Sequence, residues 1–296
     1  METKRDWSEF IGRSMASKIA ISSDRINGLA ALLDYAEPPW PNNHVPPTGH
    51  WLAMFPFTMQ SKLGEDGHEK LGDFIPAIDY PRRMWVGGKI NYLSFLSVNQ
   101  IILHRSSISN IEDKIGKTGP MTFVTLMHEY LAGDELLLQE EQKIVYREAS
   151  TEPAIRPTNK LGSNADIKKD CDWSRQIIPD TTLLFRYSAV SFNAHKIHFD
   201  HEYVNKEGYP GLLVHAPLTA TLLIDLYQSE NTNIKITSFE YKAQRPLYVK
   251  FDQDYKKEIK AAVESNFKDK EDGSVHLWAE DCSGAQAVTA RLEIEK

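Results

Sequence analysis

Three histidines, His195, His198 and His215, stand around the most chemically loaded stretch of this chain, Phe185–Leu226. Imidazole takes up and releases protons near neutrality, so such a cluster can run acid–base chemistry. Asn193, at the head of the cluster, cannot titrate; its amide can only hold a water or a polar group by hydrogen bonds. From Leu218 onward the apolar residues fall at 218, 222, 223, 226 and 227, a helical spacing with few polar interruptions, which predicts a buried helix. Pro217 suits the first helical position, where its missing N–H is no loss and its φ is already helical. A polar, histidine-bearing loop therefore runs into a helix N-terminus, whose unpaired N–H groups and dipole favour developing negative charge. That combination suits reactions in which an oxyanion forms beside a proton donor and acceptor.

The same residues carry a resemblance. The order Asn193-Ala194-His195-Lys196-Ile197-His198, then His215-Ala216-Pro217, resembles the active-site segment of the MaoC-like, type-two enoyl-CoA hydratases and dehydratases. In that family an Asp and a His five residues apart do the chemistry, and a later His-Gly pair offers a backbone N–H to the thioester oxygen. Here His198 takes the place of the family His, Asn193 stands where the Asp is expected, and Ala216 replaces the glycine. Pro81–Gly88, Gly119–Thr125 and Ile144–Glu148 extend the likeness to the subgroup of 3-hydroxyacyl-thioester dehydratases and mesaconyl- and itaconyl-CoA hydratases. The resemblance runs over most of the chain, from about Trp7 to Ile294. It implies an α+β double hot-dog, each half a long helix wrapped by an antiparallel β-sheet. It also implies a hydro-lyase acting on an enoyl- or 3-hydroxyacyl thioester.

On this reading His198 is the catalytic acid and base, Asn193 positions water, and the Ala216 N–H, given a negative φ, stabilises the oxyanion. With no Asp at position 193, His198 carries the proton transfers nearly alone or with help from Asp200. Each assignment has a plain competitor, since a histidine near a helix start is more often a hydrogen-bonded structural residue. His195 is a candidate substrate contact, and His215 orients the loop rather than moving protons. Arg82, Arg83, Arg186 and Arg245 are candidates for a substrate carboxylate or a coenzyme A phosphate, because the guanidinium fork matches both; ordinary salt bridges compete for each. Trp85 is either a pocket wall or a core aromatic. The substrate the subgroup implies is a short branched dicarboxyl acyl-CoA, mesaconyl- or itaconyl-CoA. A fatty-acid-type 3-hydroxyacyl-ACP or -CoA dehydratase is the alternative, and a non-catalytic acyl-thioester binding protein would also account for the missing Asp. No cofactor is expected beyond coenzyme A in the substrate, and no metal.

The elements that must position these groups are legible in part. Ser22-Ser23-Asp24 caps a helix running through Ile26, Leu29 and Leu32 to about Tyr35. A proline-rich loop, Glu37 to Pro47, follows, and then His50–Phe55, whose type the pattern leaves open. A long polar loop from Phe57 to Tyr80 is of the kind that covers sites. Segments 85–92, 100–108, 121–130 and 142–148 read as antiparallel strands. Residues 151–173 read as a linker between an N-terminal unit, 1–150, and a C-terminal unit, 174–296. In the second unit, alternation returns at Ile234–Ala243, with a phase slip at Ser238 that signals a bulge. It recurs at Leu247–Phe251, Val275–Ala279 and Val288–Ile294. Residues 1–20 and 256–273 are polar and predict loose or solvated segments. No internal repeat is visible.

At 296 residues, with 41% hydrophobic and 25% charged residues, the composition is that of a globular protein. A net charge of −7 argues against a nucleic-acid-binding role. No run approaches a membrane span, and the N-terminus has no apolar signal core. Cys171 and Cys282 lack disulfide or metal spacing. A cytoplasmic protein (mitochondrial matrix in a eukaryote) forming a homodimer, with no nucleic-acid or membrane partner, is the expectation.

Overall fold

The computed structural model describes residues 5–54, 56–116, 119–148, 171–231, 234–251, 258–259, 263–269, 273–281 and 284–295. The chain opens with β1 (Ser14–Ile19) and α1 (Ser23–Leu32), then takes an irregular course through 3-10 turns at Gly49–Ala53 and Gln60–Lys62. Four long strands follow: β2 (Arg82–Tyr92), β3 (Ile102–Gly116), β4 (Gly119–Ala132) and β5 (Glu135–Arg147). The second half begins the same way, with β6 (Trp173–Ile177) and α2 (Thr181–Ser191). A 3-10 turn at Lys196–His198, α3 (His201–Lys206) and β7 (Leu212–Leu213) lead to the long α4 (Ala216–Glu230). The chain then completes β8 (Lys235–Ala243), β9 (Tyr248–Phe251), β10 (Glu258–Ile259), β11 (Val263–Asp269), β12 (Ser274–Glu280) and β13 (Gln286–Glu295).

Ten strands make one antiparallel sheet in the order β1-β3-β4-β5-β2-β8-β13-β12-β11-β6. From either edge inward the rule is the same: a half's first strand in this sheet, then its third, fourth, fifth and second. The duplication invisible in the residues is therefore explicit in the topology, and the architecture is the double hot-dog. The two halves meet where β2 pairs with β8, from Gly87↔Lys242 to Asn91↔Ser238. Gly87 sits at φ +151, and a Cβ there would run into the Tyr241 carbonyl. Only glycine lets β2 approach β8 this closely while bulging against β5 between Trp85 and Gly87.

α4 is buried from Pro217 through Tyr227, as a helix apolar on all sides must be. Leu218, Leu222, Leu223, Ile224 and Leu226 are each at most 5% exposed, a gross burial on the order of 10 kcal/mol before entropy is counted. Its buried carboxylate, Asp225, pairs with Arg175 of β6 at 2.5 Å and accepts from the Tyr35 hydroxyl at 3.0 Å, which ties the helix to both halves.

Among the described residues the first half has no helix comparable to α4: between α1 and β2 they form two short 3-10 turns. His50 and Trp51 of the first turn instead reach the buried Glu140 carboxylate, each at 3.0 Å. The sheet face beneath carries a polar band of His104, Ser106, His128 and Gln142 between two apolar clusters. The second of these clusters joins Ile75 and Ile78 to Ile108, Val124 and Ile144, which fastens the end of the 57–80 loop to the sheet.

Several expectations need correction. Residues 14–19 are a paired edge strand, exposed enough that its sequence carries no apolar alternation. The charged 256–273 stretch holds β11, which pairs with β12 and β6. Trp173, placed in the linker, starts β6, while 151–170 lies outside the described residues. Pro217 is the second residue of α4, after Ala216. The slip at Ser238 is real: Ser238 pairs with Glu293 but Ile236 with Ile294, so Thr237 is the extra residue.

Candidate active site

The site is built where α2 stops. Asp180 caps α2 by accepting from the Leu183 N–H at 2.8 Å, and the helix ends at Phe192, whose left-handed φ of 59° turns the chain sharply. Asn193 follows, and its Oδ1 accepts from the His195 N–H at 3.0 Å, a local turn that leaves the amide NH₂ as the group it can offer. The 3-10 turn then delivers His198, 7% exposed, against β7. His198 Nδ1 lies 2.8 Å from the Leu213 carbonyl oxygen. A carbonyl only accepts, so the proton is on Nδ1, and Nε2 carries a free lone pair.

His215, the residue before α4, stacks flat on the His198 ring, with centroids 3.5 Å apart and planes 19° apart. It is itself held by Ser188 Oγ at 2.9 Å from its Nε2. His215 thus fixes the orientation of the His198 ring, and the chain passes directly from it to the first-turn N–H of Ala216. Ala216 is helical, so its N–H is one of the unpaired donors at a buried helix start.

Burial holds these imidazoles neutral. It pushes His198 down to about 3, and His195 and His215 well below the ordinary histidine range, with neighbouring histidines adding to the effect. A neutral His198 with a fixed tautomer is a proton acceptor at Nε2 at any pH near neutrality. Asp200 does not join it; its carboxylate caps α3 by accepting from the Tyr203 N–H at 2.9 Å.

The first half contributes the other wall. The segment Gly64–His68 lies across the loop holding His195: the Asp66 carbonyl accepts from the Lys196 N–H at 2.8 Å. Gly67, at φ +93, sits so close that a Cβ would overlap the Ala194 carbonyl. This contact brings His68 to His195, ring centroids 4.3 Å apart, with Asp66 Oδ2 3.0 Å from His68 Nδ1. Neither Asp66 nor His68 was singled out from the sequence. The length of the loop was the signal, together with an Asp-x-His spacing that lets Asp66 Oδ1 accept the His68 N–H. Asp66, His68 and His195 lie close enough to share an ion. However, the charge of Arg83 acts on all three, and the Nδ1–H of His68 already points at the carboxylate, which disfavours a cation.

The arginines separate cleanly. Arg82 is buried in a pair with Glu207 at 3.2 Å, donates to the Glu207 carbonyl, and lies over the Tyr209 ring. Arg83, the next residue, points to the opposite side of β2. With Asp66, Glu69, Lys70 and Tyr146 it lines a pocket of about 230 Å³, and its charge acts on His195. Arg186 is exposed on α2, and Arg245 faces Asp281 at 3.6 Å. Trp85 packs into the core against Trp51 and Tyr241 and donates to the Gly87 carbonyl. The structure therefore gathers Asn193, His195, His198, His215, Ala216 and Arg83, and leaves Arg82, Arg186, Arg245 and Trp85 engaged or placed elsewhere. Among the described residues no helix is long and apolar enough to cross a membrane.

Comparison with known proteins gives a consistent answer. Residues 48–249 match the family described as hydroxyacyl-thioester dehydratase type 2. The mesaconyl-C(4)-CoA hydratase of Chloroflexus aurantiacus is 39% identical over 246 residues, covering 82% of this chain and 85% of that protein. Among solved structures, HtdX of Mycobacterium tuberculosis superposes with a TM-score of 0.65 at 14% identity, covering 95% of this chain and 99% of its own. A second protein from that organism, described as a double hotdog fold, gives 0.52 at 13% identity over 95% of each chain. These two likenesses are of fold.

Proposed function

The chain belongs to the hydroxyacyl-thioester dehydratase type 2 family, and from that premise we propose that it adds water to, or removes it from, an acyl-CoA thioester carrying a second carboxylate. One observation carries the reading: a buried neutral His198, its Nδ1–H fixed on the Leu213 carbonyl, presents an unprotonated Nε2 next to His215, the residue that opens onto the free N–H groups of α4. In the hydration direction water gives up a proton as its oxygen bonds to the β-carbon, and His198 Nε2 takes up that proton. The thioester oxygen, gaining charge, is held by the Ala216 N–H and the helix dipole. The proton is then delivered to the α-carbon. General acid–base catalysis of this kind is worth about 10²–10⁴-fold, and a single oxyanion donor about 10²–10³-fold. The Asn193 amide can hold the water but not deprotonate it. The steps form one C–O and one C–H bond from water with no change of redox state in the protein, and call on no cofactor beyond the substrate's coenzyme A.

The substrate class rests on Arg83. Of the four candidate arginines it is the one that lines this pocket and whose charge acts on His195, and a guanidinium there suits a carboxylate at the far end of a short acyl group. The name of the Chloroflexus relative, a mesaconyl-C(4)-CoA hydratase, supports that choice. For assembly we propose a homodimer; β1 and β6 are the two unpaired edges of the sheet at which a second copy could add.

The test follows absorbance of the enoyl-thioester band with crotonyl-CoA and mesaconyl-CoA, using wild type and His198→Ala. Wild type removes the band, mesaconyl-CoA faster, and His198→Ala is slower by about 10³-fold or more. Faster turnover of crotonyl-CoA would move the reading to fatty-acyl substrates. Binding without turnover of either would replace the enzyme by a thioester-binding protein.

A further inference from the structure

Adding water across a double bond requires one group to take a proton and one to give it. At His198 only Nε2 is available for this, because Nδ1–H is committed to Leu213, and Asn193 cannot titrate at all. We infer that His195, supported by Asp66 and His68 from the other half of the molecule, is the second proton-handling group of the site. The inference rests on the hydratase reading above and adds to it a catalytic residue, His195, and two positioning residues that act through it.

The geometry is that of a relay. Asp66 Oδ2 accepts from His68 Nδ1–H at 3.0 Å, which fixes the tautomer of His68. Nitrogens of His68 and His195 and the Asp66 carboxylate all lie within 4.8 Å of one another. The His195 ring has no hydrogen-bond partner among the described residues, is 6% exposed, and meets the His198 ring edge-on at 5.6 Å. The support is built in, not incidental: the Asp66 carbonyl is bonded to the Lys196 N–H, Gly67 is pressed against Ala194, and Ile75 and Ile78 anchor the loop. The titratable and charged groups facing His195 are His68, Arg83, His198 and His215, drawn from four separate segments, and Asp66 faces His68 and Arg83.

The step balances with water alone. His195 takes a proton from water as its oxygen bonds to the β-carbon, and the π-electron pair moves onto the thioester as an enolate. The resulting imidazolium is stabilised by His68, whose own charge-bearing form Asp66 would stabilise, as in an Asp-backed histidine. The same proton passes to His198 Nε2 and from there to the α-carbon, closing the enolate. Both histidines end as they began.

The test uses the full-length chain and Asp66→Asn, His68→Gln and His195→Gln, assayed on whichever of the two thioesters wild type turns over. Asn at position 66 keeps the local turn but donates to His68 Nδ1, forcing the opposite tautomer. The expected result is a fall in kcat of about 100-fold or more in each variant with KM within about threefold. The Asp66→Asn and His68→Gln effects together are no larger than either alone. Long-range proton–nitrogen spectra should show His68 protonated at Nδ1 in wild type and at Nε2 in Asp66→Asn. Asn193→Asp, placed in the Asp66→Asn background, restores part of the rate. Glu65→Gln, which breaks only the exposed pair to Lys206 on the same loop, controls for loop disturbance and stays near wild type. Wild-type-like kcat in Asp66→Asn and His68→Gln overturns the relay while leaving the hydratase reading intact. So does one equivalent of a divalent metal in purified protein that Asp66→Asn loses. A wild type inert toward both thioesters overturns the hydratase reading, and the relay with it.

Discussion

Lowering the pH from 7.5 to 5.5 should destabilise this protein by an amount that can be worked from two of its buried histidines. His104 and His198 are each held neutral by burial, at about 3 against an ordinary value near 6.5. The hydrogen bonding agrees: Gln142 Oε1 fixes a proton on His128 Nε2, so His128 Nδ1 accepts, and His104 Nε2 and Ser106 Oγ approach it at 3.1 and 2.8 Å. A second proton on His128 would lie at the nitrogen that Ser106 and His104 now approach as donors, and both would have to turn their protons away. Because the folded values are depressed, the unfolded chain binds more protons between about pH 6.5 and 3. Stability is full above the unfolded value and is lost as pH falls through that window. Over the two units from 7.5 to 5.5 each of these histidines removes somewhat more than 1 kcal/mol, about 3 kcal/mol together. His68, His128, His195 and His215 are shifted the same way and add to the loss. Asp66, also shifted down, acts only below the ordinary carboxylate range and stays out of this window. Urea unfolding at pH 7.5, 6.5 and 5.5 reads the effect directly, and His104→Gln should recover about 1 kcal/mol of it. Equal stability at 7.5 and 5.5, or a loss confined below pH 4, would refute the assignment of neutral buried histidines.

The two adjacent arginines should behave oppositely. Arg82→Met strands the buried Glu207 carboxylate, costing about 3–5 kcal/mol and lowering the melting midpoint by on the order of 10 °C in a calorimetric scan; a shift of only a degree or two would deny the pair its role. Arg83→Met should leave the midpoint nearly unchanged but raise KM for mesaconyl-CoA about 10- to 100-fold, the range for a lost charge-assisted hydrogen bond, with a much smaller effect on crotonyl-CoA; equal effects on both substrates would count against a carboxylate at Arg83. Gly67→Ala must lift its loop from Ala194, so kcat should fall at least about tenfold while the strain of the positive φ costs on the order of 1 kcal/mol; an unchanged rate would show that the loop contact does not shape the site.

What the residues revealed and hid follows from where each signal resides. α4 was legible because its apolar spacing and Pro217 are local, and His198, Asn193 and Ala216 lie within one short segment beside it. β1 and β11 were hidden because strands that are exposed or charge-rich do not show a two-residue apolar alternation. Asp66 and His68 were missed because they belong to a loop far from His195 in sequence, and only the fold brings them together. The two arginines were indistinguishable as letters; β-strand alternation sends Arg82 to Glu207 and Arg83 to the pocket. The polar band of the first half was equally unreadable, since His104, His128 and Glu140 come from three strands that meet only by register.

The seam between β2 and β8 has a consequence for how the chain is made. Its paired residues are about 150 positions apart, whereas every other pair of neighbouring strands in the ten-stranded sheet belongs to one half. Closing so long a loop is slow compared with forming the local hairpins. Each half should therefore assemble before the two join. During synthesis the N-terminal half emerges first, with β2 as a long bare edge able to pair with the wrong strand. That edge is capped only when β8 arrives, and the same docking event carries the 193–198 loop against Gly67. Recovery of turnover in refolding should thus lag recovery of β-structure, and the interval between them is the lifetime of the uncapped edge.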